Sequence, residues 1–216
     1  MADFAERMLV ANASLNLTRI TGEDEIAVKH FVDSLSLLRL GVVQRAPRMV
    51  DVGSGAGFPG VPLAIARPDA TVVLVDSLRK RMDWVAMTMR DLGLTRVSTV
   101  HARAEEAGRG ALRGRFGLAV ARAVAPAPVA LEYLAPLTAV GGHCVLMKGP
   151  VAAGEIAAGE RAAAALGLRE LGLDRFELPD GMGERTLMSW VKEGRTPSRY
   201  PRRAGVPQRE PLGGPA

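Results

Sequence analysis

One cysteine and three histidines stand among 216 residues. A single cysteine excludes an intrachain disulfide. With the histidines so scattered, no metal-ligand spacing exists, and no metal is expected. Cys144 sits in the apolar run His143-Cys144-Val145-Leu146-Met147 and reads as a small core residue. No apolar run approaches the roughly 20 residues of a membrane helix. The segment Met1-Ala2-Asp3-Phe4-Ala5-Glu6-Arg7 carries early acids and lacks a basic-then-apolar signal pattern. A cytoplasmic protein without membrane contact is expected. Exposed heptads and apolar patches are also missing, which points to a monomer.

Hydrophobic residues make up 48% of the chain, enough for a core and too many for disorder. The length fits one large domain with extensions. A net charge of +5 permits a nucleic-acid partner without requiring one. Its distribution is uneven: Lys192 to Glu210 holds six basic residues against two acids.

Up to about Val43 the pattern is helical. Phe31, Leu35 and Leu38 recur at helical spacing after the acids Glu23, Asp24 and Glu25, and Thr21 is placed to cap that helix. Gly41 and Pro47 close the region. From Arg48 short strands alternate with helices. Strands are expected at Met49–Val52, Thr71–Asp76, Val97–His101, Leu118–Ala121 and His143–Met147. Helices fit at Val61–Arg67, Leu78–Leu92, Val129–Leu134 and Val151–Leu166. This alternation predicts an α/β fold, a parallel sheet with right-handed crossovers and helices on both faces. Strand-like runs near Leu168–Leu178 and Leu187–Val191 flank Asp180-Gly181-Met182-Gly183, a tight-turn sequence. A hairpin there adds an antiparallel edge. The expected division is a helical extension over residues 1–47, the α/β domain over 48–192 and a basic tail over 193–216. That tail has three prolines between Thr196 and Pro207 and no apolar period, and reads as extended or disordered.

Met49-Val50-Asp51-Val52-Gly53-Ser54-Gly55-Ala56-Gly57-Phe58-Pro59-Gly60 is the most informative stretch. A strand ends in an acid and enters a loop of three alternate glycines, which let a ligand approach the backbone. Backbone amides and a helix dipole can meet an anion there. Two cofactor classes compete. Gly55-Ala56-Gly57-Phe58-Pro59-Gly60 matches the dinucleotide G-x-G-x-x-G, a weak signal alone. The frame Asp51-x-Gly53-x-Gly55-x-Gly57 resembles motif I of Rossmann-like methyltransferases that use S-adenosylmethionine (SAM). Asp76, ending the next strand, suits ribose hydroxyls in either class. The antiparallel last strand favours the methyltransferase sheet. After the third strand, Ala104 and Glu105 lie where an adenine reaches, or else simply begin an acidic helix.

The segments Asn16-Leu17-Thr18, Lys29-His30-Phe31-x-Asp33-Ser34, the glycine loop through Phe58-Pro59-Gly60, Asp76-Ser77-x-x-Lys80-Arg81, Ala121-Arg122-Ala123 and Met147-Lys148-Gly149 occur in that order. Together they resemble the RsmG (GidB) family, bacterial 16S rRNA guanine-N7 methyltransferases. The resemblance runs from about Ala11 to Tyr200-Pro201-Arg202-Arg203-x-Gly205. It implies a Rossmann-like methyltransferase fold and SAM binding at Gly53, Phe58, Ala104, Glu105 and Arg122; Asp76 fits as the ribose ligand, and Gly55 and Gly57 of the same loop complete the expected cofactor set. It also implies a target guanine, position 527 in bacterial rRNA numbering, on the 30S subunit.

Arg122, at the sheet's carboxyl edge, is expected to position SAM or the target. Lys148 is assigned a catalytic role, holding an rRNA phosphate. His30 and Asp33 lie three apart on one helix face, for a mutual structural contact or an RNA contact by His30. Arg199, Arg202 and Arg203 beside Tyr200 suit phosphate contact and base stacking. The rival readings are an NAD(P)-dependent oxidoreductase, a non-catalytic RNA-binding assembly factor and a small-molecule methyltransferase.

Overall fold

The computed structural model describes residues 1–214. Its centre is a seven-stranded sheet in the order β3-β2-β1-β4-β5-β7-β6. The strands are β1 (Arg48–Val52), β2 (Thr71–Asp76), β3 (Val97–His101), β4 (Phe116–Arg122), β5 (Thr138–Lys148), β6 (Leu168–Glu177) and β7 (Glu184–Lys192). β1 to β5 are parallel, and β7 inserts antiparallel between β5 and β6. The helices of this region are α5 (Gly60–Ala66), α6 (Arg79–Asp91), α7 (Ala104–Arg109), α8 (Ala127–Leu134) and α9 (Ala153–Leu166). The mostly parallel sheet with an antiparallel last strand is the one expected from the sequence.

Period-2 alternation sends the side chains of each central strand to opposite faces. Met49, Val72, Leu74, Leu118 and Val145 pack with α5 and α6 on one face. Val50, Val52, Val73, Ala119, Cys144 and Leu146 pack with α8 and α9 on the other. Burial on both faces explains why these strands are nearly continuous apolar runs. Cys144 is fully buried, and burial pushes its thiol up to about 11.

The N-terminal residues form α1 (Ala2–Leu15), α2 (Glu23–Ile26), α3 (Asp33–Leu35) and α4 (Gly41–Arg45). Phe4 of α1 meets Phe31, Phe58 and Trp84 at centroid distances of 6.3, 5.6 and 5.9 Å. α1 is thereby stapled onto the glycine loop and α6 by aromatic contact.

Three local expectations are corrected. Thr21 does not cap: Gly22 is the N-cap of α2, with no side chain to accept a bond. The continuous helix is interrupted by a π-helical turn over Ala27–Val32 and a 3₁₀ turn over Ser36–Arg39, and Gly41 opens a helix rather than closing one. The tail is ordered through residue 214. Tyr200, Pro201 and Pro207 are buried, and Val206–Arg209 forms α10. Its texture misled because its order comes from long-range bonds, which have no local period. Arg113 donates to the carbonyls of Thr196 and Tyr200 at 2.9 and 2.8 Å. Pro215 and Ala216 of the expected tail lie outside the described residues.

The sheet turns back on itself between β1 and β4, since the chain runs outward through β2 and β3 before returning to β4. Ligands of open α/β sheets bind at the carboxyl edge of such a switch point. Asp76 and Arg122 end β2 and β4 at that edge, and Asp51 stands one residue before the end of β1.

Candidate functional site

The loop after β1 is shaped by three glycines in positive φ: Gly53 (+72°), Gly55 (+56°) and Gly57 (+104°). A Cβ on Gly53 would come within 2.5 Å of Val124 Cγ2, whereas one on Gly55 meets nothing within 4 Å. The loop's amides are largely engaged from within. Gly53 and Ser54 donate to the Val75 carbonyl at 2.8 and 3.2 Å, and Gly57 and Phe58 to that of Ser54 at 2.7 and 2.9 Å. Gly55 donates to Asp76 Oδ2 at 2.9 Å and Gly60 to Asp51 Oδ2 at 2.8 Å. The open row of amides that a pyrophosphate needs is therefore lacking.

Asp51 is 1% exposed, and its Oδ1 has no partner among the described residues. Burial pushes the carboxyl up to about 7; the Gly60 amide and the Arg122 cation pull the other way. The sequence marked Asp51 only as part of the motif. Its burial was visible only in three dimensions.

Beside the loop lies a cavity walled by Val52, Gly53, Val75, Asp76, Ser77, Ala102, Arg103, Ala104, Glu105, Val124, Tyr133 and Gln208. Of the expected cofactor residues, Gly53, Asp76, Ala104 and Glu105 come together here. Asp76 also takes the Leu78 amide on Oδ1 at 2.9 Å, which fixes its carboxylate at the rim with lone pairs to spare. Aliphatic walls and two fixed carboxylates fit a nucleoside: flat apolar faces for the base, acceptors for ribose hydroxyls and an exocyclic amine. Tyr133, Val124 and Gln208 were not anticipated. Gln208 gave no sequence signal, because it lies in the segment read as unstructured.

Gly55, Gly57, Phe58 and Arg122 are not on this wall. Phe58 and Arg122 belong to an adjoining polar-aromatic cluster. Arg122 donates to the Lys29 carbonyl and to Asp33 Oδ2, each at 3.0 Å, and lies over the Phe58 ring at 5.3 Å. Arg185 donates to the other Asp33 oxygen at 2.9 Å. His30 stacks on Phe58 at 4.6 Å and its Nε2 pairs with Thr18 Oγ1 at 2.8 Å. Burial, aided by the Arg122 cation, lowers the His30 pKa to about 4, so the ring is neutral at pH 7. Arg122 therefore ties the N-terminal helices to the end of β4, beside the cofactor loop.

Three of the expected side chains are engaged within the protein. The half-buried His30 ring is stacked in this cluster with its Nε2 already paired to Thr18. The Lys148 ammonium is held by the Ala125 carbonyl at 2.6 Å and by Glu155 at 2.7 Å. Glu155 also accepts the Ala127 amide at 2.8 Å, so Lys148 and Glu155 together tie down the loop after β4. Arg202 points inward onto Glu132, with Nη2–Oε2 at 2.6 Å. Arg199 lies over Tyr200 at 5.0 Å and stays exposed, as does Arg203. No group of three His, Cys, Asp or Glu side chains able to hold a metal occurs among the described residues. No helix among them is long and apolar enough to cross a membrane.

A family model described as GidB, rRNA small subunit methyltransferase G, matches residues 1–185. The ribosomal RNA small subunit methyltransferase G of Deinococcus radiodurans is 46% identical over 202 residues, 93% of this chain and 80% of that relative. Its namesake in Desulfitobacterium hafniense is 43% identical over 210 residues, covering 97% and 87%. Among solved structures, cofactor-bound Rv0187 from MTB superposes with a TM-score of 0.63 at 19% identity, over 89% of this chain and 91% of that one. Geranyl diphosphate methyltransferase in complex with SAM gives 0.56 at 15% identity, over 74% and 84%. At these identities the two structures speak for the fold alone.

Proposed function

Because the chain belongs to the GidB family of small-subunit rRNA methyltransferases, we propose that it transfers the methyl group of SAM to N7 of a guanine in 16S rRNA. The observation that carries this reading is the cavity at the switch point, lined by Asp76 and Glu105 beside a glycine loop whose amides are already engaged. That engagement, with the antiparallel β7, weighs against an NAD(P)-dependent oxidoreductase.

Bound SAM supplies an electrophilic methyl group on a sulfonium. In the proposed site Asp76 accepts the ribose hydroxyls, and Ala104 and Glu105 hold the base. Gly55 leaves room for the ligand beside the backbone, Gly53 and Gly57 hold the positive-φ turns that shape the loop, and Phe58 and Arg122 fix the far wall. Guanine N7 has a free lone pair in the neutral base, so no side chain needs to remove a proton. No histidine or cysteine lines the cavity among the described residues, which agrees with this. Positive charge moves from sulfur to purine without being created, and the protein's work is alignment and exclusion of water. Alignment of this kind can contribute roughly 7–11 kcal/mol.

The exposed Arg199 and Arg203 are proposed as phosphate contacts on the 30S subunit. The working division is a helical cap over residues 1–47, a methyltransferase domain over 48–192 and an ordered C-terminal segment beyond it, acting as a monomer in the cytoplasm.

The test is methyl transfer from labelled SAM to 30S subunits lacking the modification, with the product nucleoside identified by mass spectrometry. Label in 7-methylguanosine at one rRNA site is the expected result. SAM binding with no transfer would move the acceptor elsewhere, and no SAM binding would overturn the cofactor assignment.

A further inference from the structure

We propose that residues 200–210 form a strap that completes the cofactor cavity, with Gln208 recognising the polar edge of the nucleobase. This rests on the methyltransferase reading above and names a residue that recognises the cofactor.

The strap is clamped by one arginine. Arg202 presents Nε and Nη2 to Glu132, at 2.9 and 2.6 Å, and its backbone amide adds a third bond at 2.8 Å. Glu132 is 0% exposed on α8. A carboxylate so deep in an apolar helix is costly unless paired and fully bonded. Among the described residues Arg202 supplies all its hydrogen bonds. The same guanidinium donates to the Glu210 carbonyl at 2.7 Å, so it closes both ends of the loop 202–210. From outside, Arg109 holds the Pro201 carbonyl at 2.9 Å.

What this loop presents is specific. Gly205, in positive φ at +79°, donates its amide to Glu105 Oε1 at 3.0 Å. Glu105 is 5% exposed and lies on the cavity wall, and its Oε2 takes no hydrogen bond from the described residues. The strap thus fixes one oxygen of a cavity carboxylate and leaves the other for a ligand donor. One turn on, Gln208 contributes the only side-chain amide on that wall. The two carboxylates there only accept hydrogen bonds. An adenine edge offers both a donor, the exocyclic amine, and an acceptor, N1. A carboxamide can serve the acceptor that a carboxylate cannot.

The experiment is isothermal titration of the full chain with S-adenosylhomocysteine and with its inosine counterpart, alongside steady-state methyl transfer to 30S subunits. For Gln208→Ala we expect about tenfold weaker binding of S-adenosylhomocysteine, with the inosine compound weakened too, because a carboxamide can turn to meet either base edge. KM for SAM should rise with little change in kcat, and the melting temperature should stay that of the parent. Arg202→Met alone strands a buried carboxylate, so the clamp is tested with Glu132→Gln/Arg202→Met. That variant should weaken binding similarly and raise hydrogen exchange across residues 203–210. Gln208→Ala binding both compounds as the parent does would overturn the inference. A parent chain that binds neither compound would instead overturn the methyltransferase reading on which it rests.

Discussion

Asp51 shows how one buried acid can be tuned by its neighbours. Its folded pKa of about 7 lies above the ordinary 3.8 because burial outweighs the Gly60 amide and Arg122. Between those values the folded protein keeps a proton that the unfolded chain has released. Stability from this residue therefore falls as pH rises from about 4 to 7, by a few kcal/mol at most, and is level above that. His30 acts in the opposite sense: its lowered pKa makes stability fall as pH drops from 6.5 towards about 4. The two oppose each other in overlapping windows, so the parent's profile alone hides both. Asp51→Asn keeps an oxygen for the Gly60 amide and removes the titration. Its urea midpoint should gain on the parent's progressively from pH 5 to pH 7.5; a constant difference would mean that Asp51 is ionised throughout.

Among the elements, the β1–α5 connection separates two kinds of glycine. Gly60 is there for packing: a Cβ would lie 2.2 Å from Leu74 Cδ2 and 2.9 Å from Asp51 Oδ2. Gly55 is there for conformation and access, with φ at +56° and open space where a Cβ would point. Gly60→Ala should lower stability by about 1–3 kcal/mol or more through overpacking. Gly55→Ala should cost only about 1–2 kcal/mol of backbone strain yet lose most of its S-adenosylhomocysteine affinity. Thermal melts and titration calorimetry on the pair check this. A Gly55 variant that binds normally would take the ligand away from this loop. In the sequence both glycines read alike, because spacing reports a loop and not what stands opposite each Cα.

For the whole molecule, the C-terminal segment decides between a solvated arm and a structural part. Removing everything after Lys192 leaves Glu132 buried without Arg202 and takes backbone acceptors from Arg113. Breaking such a buried pair costs roughly 3–5 kcal/mol. The shortened chain should melt well below the full one in low and high salt alike, and should bind S-adenosylhomocysteine poorly. An unchanged melting temperature with weaker RNA binding would restore the tail to a solvated arm.

The strands, their order of appearance, the hairpin and the acid–glycine loop were legible from residue order alone, because each follows from local period and from glycine's access to positive φ. β2 and β3 have the expected bounds. That Asp76, Ala104 and Glu105 lie at one edge of the sheet was legible as well, since each stands at or just past the carboxyl end of a strand. Residue order could not reveal what distant partners do to a side chain. Lys148 reads as a free cation until Glu155 is seen 2.7 Å away, and His30 as an RNA contact until Thr18 and Phe58 enclose it. Arg202 reads as a phosphate contact until the fold brings Glu132 beneath it, 70 residues away in sequence. Charge and hydrogen-bonding capacity belong to the residue, but whether they remain available is decided by burial and by partners that only the tertiary structure brings together.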